Sequence, residues 1–313
     1  MTWILRSSIP GFREMNAAAA LRATAAYGLA GTMFSGLAEI SPTLDTDELR
    51  AARDLAGDLG IGIGASVDWI NPLTERGRSN AIYGDGDLSA GLTRLIRAAA
   101  DIGIRDLFFM VGKIEDRFDP TVQWSTQLDA VAGILLKLAP MLRDIGSRLL
   151  LKTHEEITSF EVARLVERVG PDLLGVALDP VNVLCRIEDP VQATGRVAPY
   201  VAQVHVDDAV LCFENGGVRR FLCPLGEGVI DWGGILALVP AAARLVLEFH
   251  SGQFAMPLFD PVWRRAQPDL TLDEYASILH AAATLPRDFL PSDQANSTSR
   301  LPPALGYVRS RLQ

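Results

Sequence analysis

The chain has 313 residues, of which 49% are hydrophobic and 21% charged, and its net charge is −9 at neutral pH. This composition is typical of a globular protein with one large core, and an acidic surface repels phosphate backbones, so we expect no nucleic-acid partner. We also expect a cytoplasmic protein without membrane contact, because no apolar run is long enough to span a membrane, the first residues show no signal-peptide pattern, and the three cysteines lack paired spacing.

Lysine is rare in this chain. Only three of the 29 basic residues are lysines, Lys113, Lys137 and Lys152, and the others are arginines. A general codon preference for arginine explains the trend, so each lysine that is present marks a position to locate in the fold.

Eight short apolar segments alternate with longer amphipathic segments along the chain. The apolar segments lie at residues 3–7, 32–34, 61–67, 106–111, 148–151, 174–178, 201–206 and 245–248. They are apolar throughout rather than alternating, which is typical of parallel strands buried on both faces. Between them, Asn16 is a candidate helix cap, and capping boxes begin at Asp45, Thr158 and Thr271.

Eight strand–helix units predict a single α/β domain, a closed (β/α)8 TIM barrel over residues 1–285. An open doubly wound sheet is the alternative, but residues 7–11 after the first strand lack the GxGxxG phosphate-binding pattern. From residue 286 the sequence is rich in Pro, Ser and Asn. We therefore expect residues 286–313 to form a C-terminal tail that is loosely structured or contacts another subunit.

Polar side chains with reactive groups follow the last five predicted strands. In chain order they are Lys113; Lys152 and His154; Asp179 and Asn182; His205; and Glu248 and His250. The carboxyl ends of barrel strands meet at one mouth, so we expect these side chains to form one site. Asp179, His205 and Glu248 are ligand types that suit a divalent cation, which would polarise a substrate oxygen. The alternative is that they form ordinary salt bridges at the barrel rim.

Five motifs in this order resemble the xylose isomerase-like TIM barrels, in particular the sugar phosphate isomerases and epimerases. They surround Lys152-Thr-His154, Asp179-Pro-Val-Asn182, His205-Val-Asp207-Asp208, Pro224-Leu-Gly-Glu-Gly and Glu248-Phe-His250, and the resemblance covers residues 3–285. It implies an enzyme that moves a proton next to a carbonyl of a sugar, keto-sugar or cyclitol. It also implies one divalent metal (Mn, Mg, Co or Zn) held by Asp179, His205 and Glu248, with His154 contacting the substrate.

Lys152 departs from the family pattern, because it stands where the family has its first metal-binding glutamate. A protonated lysine cannot ligate a metal, and its charge repels one. Three arrangements are open. A metal binds through three ligands with Lys152 neutral or turned to the substrate; the ammonium takes the place of the metal, which is then absent, between Asp179 and Glu248; or Lys152 has a lowered pKa and acts as an acid, a base or a Schiff-base amine.

The remaining roles are assigned on this basis. We expect Glu248 to be the base, with Lys152 and His154 stabilising or protonating an enolate oxygen. The candidate substrate-binding residues are Lys113, Asn182, Arg220, Trp69 and His250. For Lys113 the alternative is a solvated side chain, and for Arg220 it is an ion pair with nearby acids.

Three functions fit these residues. The first is an isomerase or epimerase for a small carbohydrate-like substrate. The second is a metal-independent lyase of the same fold, for example a dehydratase that works by β-elimination. The third is a sugar-binding barrel without catalysis. The oligomeric state stays open, with a homodimer or homotetramer as the expectation.

Overall fold

A computed structural model describes residues 2–284 and 297–312. Eight parallel strands close into a barrel in which each strand pairs with the next in the chain and the last pairs with the first. The barrel strands are β1 (Thr2–Leu5), β2 (Gly31–Phe34), β3 (Gly62–Trp69), β4 (Asp106–Met110), β5 (Arg148–Lys152), β6 (Leu174–Leu178), β7 (Val201–Val206) and β10 (Arg244–Leu247). The predicted TIM barrel is confirmed, and the predicted strand bounds differ from these by at most two residues.

Helices surround the barrel and connect its strands. They are α1 (Ala17–Ala26), α2 (Thr46–Asp58), α3 (Leu88–Asp101), α4 (Ile114–Arg117), α5 (Trp124–Ile145), α6 (Ser159–Val169), α7 (Pro180–Val183), α8 (Pro190–Val197), α9 (Trp232–Leu238), α10 (Pro261–Arg265), α11 (Leu272–Thr284) and α12 (Ser297–Tyr307). The predicted caps are confirmed, since Asn16, Asp45, Thr158 and Thr271 accept hydrogen bonds from the first free N–H groups of α1, α2, α6 and α11. The reciprocal capping box is present at Thr158. None of the helices in the described ranges is long and apolar enough to cross a membrane.

The barrel interior is a separate apolar cluster from the layer between barrel and helices. Its buried members are Leu5, Met33, Phe108, Leu150, Ala177 and Val246. Side chains along a strand alternate between its two faces, so the residue two positions after an interior residue also faces inward. Leu150, Ala177 and Val246 are followed in this way by Lys152, Asp179 and Glu248. The strand pleat therefore aims these three charged side chains at the mouth of the barrel.

Trp3 fills the barrel beside glycines on two neighbouring strands. A Cβ atom at Gly31 or Gly62 would overlap with the Trp3 ring, and the Arg244 guanidinium lies 4.2 Å from the ring centroid. These positions accept only glycine while Trp3 keeps this place, because a well-packed interior has no room for an added methyl group.

A small antiparallel sheet follows β7 and was not predicted from the sequence. It contains β8 (Asp208–Glu214), β9 (Gly217–Cys223) and β11 (Phe254–Met256), with β9 in the centre. Asn215 and Gly216 form the two-residue turn between β8 and β9, and Gly216 has a φ of 95°. Asn-Gly is a strong signal for such a hairpin, so this turn could have been predicted from the sequence.

The described part of the predicted tail packs on the barrel. Residues 286–296 lie outside the described residues. In the rest, Leu301, Ala304 and Val308 are buried and belong to the main hydrophobic core. Residues 297–312 thus form helical segments that pack on the barrel in the described structure, and contact of the tail with another subunit stays an expectation. The physical reason is the three- and four-residue spacing of these apolar side chains, which gives the last helix one buried face.

Candidate functional site

The Lys152 ammonium lies between two carboxylates at the mouth of the barrel. Its Nζ atom donates to Glu248 Oε1 at 2.8 Å and Oε2 at 2.6 Å, and it lies 3.0 Å from Asp179 Oδ2. The Lys152 side chain is 3% exposed and that of Asp179 is fully buried. The three groups meet because each lies at the end of its strand or directly after it, two positions beyond an interior residue.

The charges of these three groups stabilise one another. Burial by itself lowers the pKa of Lys152, but the charges of Glu248 and Asp179 outweigh it and raise that pKa above its ordinary value. Burial by itself raises the pKa of both carboxyls, whereas Lys152 and His250 outweigh it and hold both well below the ordinary range. At neutral pH the cluster is one ammonium with two carboxylates.

His205 is engaged by Glu248 and Gln203 rather than by the rest of the cluster. Its Nδ1 atom contacts Glu248 Oε2, and its Nε2 atom lies 2.5 Å from Gln203 Nε2. The ring is fully buried inside the barrel against Phe108. Burial and the nearby ammonium lower the pKa of His205, which keeps the imidazole neutral.

Asp179, Glu248 and His250 are close enough together to hold a metal ion, because their ligand atoms lie within 4.8 Å of one another. The predicted set contained His205 in place of His250. Asp179 Oδ1 is buried without a hydrogen-bond partner in the described structure, so one acceptor stays available.

Lys152 decides whether this cluster fits a resident divalent metal. An ion bound to both carboxylates would lie within about 4 Å of the ammonium, and the repulsion amounts to about 8 kcal/mol at an effective dielectric constant of 20. Deprotonating Lys152 would relieve the repulsion, but the raised pKa opposes that step. The cluster has suitable ligand types, yet its charge is already compensated, so it does not fit such an ion while Lys152 is protonated.

Two histidines at the site each contact a buried carboxylate through Nδ1. His250 Nδ1 lies 3.0 Å from Asp207 Oδ2, and His154 Nδ1 lies 2.6 Å from Glu156 Oε2. Asp207 is 1% exposed and Glu156 is fully buried. A carboxylate oxygen accepts a hydrogen bond from a ring N–H, so each contact fixes the orientation of its ring. The Nε2 atom of His250 lies 2.9 Å from Asp179 Oδ2, so both of its ring nitrogens face carboxylates.

A cavity of about 710 Å³ lies above the ion-paired cluster. Among the residues that line it are Lys113, His154, Asn182, Arg220, Glu248 and His250. All six were predicted for the site, whereas Lys152, Asp179 and His205 are buried behind them. Trp69 does not line the cavity but contacts the His154 ring, with the centroids 5.6 Å apart.

Arg220 brings a positive charge from the antiparallel sheet to this cavity. It is 4% exposed, and its Nη1 atom donates to Asn182 Oδ1 at 3.0 Å and to the Val181 carbonyl at 3.2 Å. Asn182 donates in turn to Asp179 Oδ2 at 2.8 Å. No carboxylate within the described ranges forms an ion pair with Arg220, which leaves the predicted ion pair with nearby acids without support.

Sequence reasoning missed three residues of the site: Glu156, Asp207 and Arg300. Glu156 was not among the predicted site residues, and Asp207 was used only as part of the motif His205-Val-Asp207-Asp208. Arg300 fell in the predicted tail, but its Nη2 atom contacts Asp207 Oδ1. The sequence shows these three residues, but only the fold shows that Glu156 contacts His154 and that Asp207 and Arg300 contact His250.

Comparisons with known proteins agree with this architecture. A 3-oxo-isoapionate decarboxylase from Pectobacterium atrosepticum is 26% identical over 235 residues, which are 74% of this chain and 75% of that protein. The uncharacterized protein YihM of Escherichia coli is 27% identical over 122 residues, and this match spans only 37% of its length and 38% of this chain. A crystal structure of D-psicose 3-epimerase has a TM-score of 0.60 at 17% identity and covers 90% of this chain and 95% of that one. The family model of the xylose isomerase-like TIM barrels matches residues 21–279, and the chain belongs to this family.

Proposed function

We propose that the protein is a metal-independent lyase that decarboxylates a 3-oxo sugar acid. The observation that carries the proposal is the Lys152 ammonium, which lies 2.6–3.0 Å from the Glu248 and Asp179 carboxylates. It supplies a fixed cation where a metal would otherwise compensate these charges. The similarity to 3-oxo-isoapionate decarboxylase supports the reaction class.

The basicity of Glu248 favours a lyase over an isomerase. A general base works best when its pKa lies near the working pH. The pKa of Glu248 is held well below the ordinary value by Lys152 and the two neighbouring histidines, so this carboxylate is a weak base. Decarboxylation needs no base, because the electron pair comes from the carbon–carbon bond that breaks. The role of Glu248 is then to hold Lys152 in place.

The proposed reaction balances without a cofactor. The bond between the carboxylate carbon and C2 breaks, CO₂ leaves, and the electron pair forms an enolate with the C3 keto oxygen. Arg220 stabilises the enolate oxygen, and the Lys152 ammonium offsets the negative charges of Asp179 and Glu248 beneath the cavity. A proton on Nε2 of His154 or His250 then passes to C2, which yields a ketone with one carbon fewer, and water returns a proton to the ring. Lys113 at the rim attracts the anionic substrate.

The experiment is a panel of 3-oxo sugar acids and ketoses incubated with the purified protein, with and without EDTA. Released CO₂ and the product ketone are measured by a coupled assay and by NMR. We expect one CO₂ per substrate consumed at the same rate in EDTA, and substoichiometric metal in the purified protein. Stoichiometric bound metal, or activity that EDTA abolishes, would contradict the proposal.

An isomerase or epimerase is the second candidate, and the two carboxylate-bound histidines favour it. His154 follows β5 and His250 follows β10, so two imidazoles reach one cavity from different strands. Such a pair could exchange a proton at a carbon next to a carbonyl without a metal. In D₂O this reaction puts deuterium on that carbon of a ketose without release of CO₂.

A further inference from the structure

We propose that Arg300 is a positioning residue that fixes His250 through Asp207. The C-terminal helix α12 thereby contributes to the site. Arg300 is 1% exposed. Its Nη2 atom contacts Asp207 Oδ1, and its Nη1 atom donates to the His250 carbonyl at 2.9 Å. One guanidinium thus holds the backbone of His250 directly and its ring through Asp207.

The Asp207 carboxylate links the two side chains. Its Oδ2 atom accepts from the His250 backbone N–H at 3.0 Å and lies 3.0 Å from His250 Nδ1. Its Oδ1 atom accepts from Arg300 and from the Asp208 backbone N–H at 2.9 Å. A buried carboxylate needs a compensating positive charge. Among the arginines and lysines of the described structure, Arg300 supplies this charge to Asp207.

The consequence for His250 is a fixed ring orientation. Nδ1 faces Asp207, and Nε2 lies 2.9 Å from Asp179 Oδ2 and 3.3 Å from Asn182 Nδ2. Because a carboxylate oxygen only accepts, each of the two carboxylate contacts is a hydrogen bond when the facing ring nitrogen carries a proton. Partners behind a functional histidine set which nitrogen faces the reacting groups. Burial lowers the pKa of Arg300 only to about 10, so the guanidinium stays charged at neutral pH.

The test compares Arg300→Met and Arg300→Lys with Arg309→Met in the full chain. Arg309 belongs to the same C-terminal segment, and its Nη2 atom donates to the Tyr27 carbonyl at 3.1 Å, away from the site. The first readout is the ¹H–¹⁵N spectrum of the imidazole rings. The chain has only four histidines, so His250→Gln assigns the His250 signal. This readout does not depend on the proposed function.

We expect the wild type and Arg309→Met to show the same His250 signals, with a hydrogen-bonded N–H at Nδ1. Arg300→Met should lose or shift this Nδ1–H signal. Arg300→Lys should recover only part of the wild-type pattern, because an ammonium cannot reproduce the two contacts that the guanidinium makes to Asp207 and the His250 carbonyl. An unchanged His250 signal in Arg300→Met overturns the proposal. If Arg300→Met does not fold, a shifted signal in Arg300→Lys supports the proposal, and an unchanged signal there overturns it.

The activity readout rests on the proposed function. With a substrate found, we expect kcat of Arg300→Met to fall by about 10- to 100-fold while KM stays nearly constant. Added guanidinium ion should restore part of kcat in Arg300→Met but not in Arg309→Met. A parallel rise in KM, or no rescue, would assign Arg300 a purely structural role. If no substrate is turned over but the His250 signal changes as expected, the proposed function fails and the positioning role stands.

Discussion

Replacing Lys152 with methionine should convert the ion-paired cluster into a metal-binding one. The substitution leaves two buried carboxylates, each within 3.0 Å of the lost Nζ atom. Their oxygens are therefore at most about 6 Å apart, and their repulsion amounts to about 3 kcal/mol at an effective dielectric constant of 20. Breaking a buried ion pair from one side costs about 3–5 kcal/mol in total, which is the loss of unfolding free energy that we expect in EDTA.

Urea unfolding with and without Mn²⁺ measures both parts of this prediction. At 100 times its dissociation constant, a metal that binds only the folded chain restores about 3 kcal/mol. Lys152→Glu adds a carboxylate ligand and should respond to Mn²⁺ more strongly than Lys152→Met. The control is Lys137→Met on the exposed side of α5, which should change stability by less than about 0.5 kcal/mol.

Two results would refute the reasoning about Lys152. The first is a stability of Lys152→Met in EDTA within about 1 kcal/mol of the wild type, because the ion pairs would then contribute little. The second is stabilisation of the wild type by Mn²⁺ to the same extent as Lys152→Glu, because the ammonium would then not exclude a metal.

Three further predictions concern the barrel, a buried carboxyl and the cavity. Gly62→Ala should lower the unfolding free energy by about 1–3 kcal/mol because its Cβ would overlap with the Trp3 ring; an unchanged urea midpoint would mean that the ring moves freely. Burial raises the pKa of Glu188 from 4.5 to about 7 against the hydrogen bonds that it accepts. Its folded form therefore keeps a proton that the unfolded chain releases, and stability falls by about 3 kcal/mol as the pH rises from 4.5 to about 7. Unfolding curves on both sides of this window should show the fall in the wild type and not in Glu188→Gln, and equal slopes would contradict the assignment. Arg220→Met should reduce kcat/KM by about 10²–10³-fold if Arg220 stabilises the enolate. Arg219→Met is the matched control because Arg219 pairs with Glu214, and equal losses in both variants would show a general effect of the sheet.

The barrel could be predicted because its signals are local. Buried parallel strands give continuous apolar runs, and glycines and caps mark where the helices end. The period of two along a strand then places Lys152, Asp179 and Glu248 on the inner face. Both steps need only residues that are near one another in the sequence.

The charge partners at the site could not be predicted in the same way. Arg300 and Asp207 are 93 residues apart in the chain, and Lys152 and Glu248 are 96 apart. A single sequence shows that such groups exist but not which of them meet. This is why the ammonium-between-carboxylates arrangement stayed one of three possibilities.

The antiparallel sheet is a different case, because its turn signal was present but was not used. Arg220 was expected at the site from its residue type alone. The hairpin of β8 and β9 gives the physical reason, since the register opposite Leu211 on β8 carries Arg220 to the cavity.

The scarcity of lysine has a practical consequence for chemical labelling. Amine-directed reagents need a neutral, accessible amine, and Lys152 is buried and ion-paired, with a raised pKa. Of the lysine side chains only Lys113 and Lys137 are exposed, and Lys113 lines the cavity. A Lys137→Arg variant would therefore leave one reactive side-chain amine, at the mouth of the barrel, where a fluorophore would report ligand entry without an engineered cysteine.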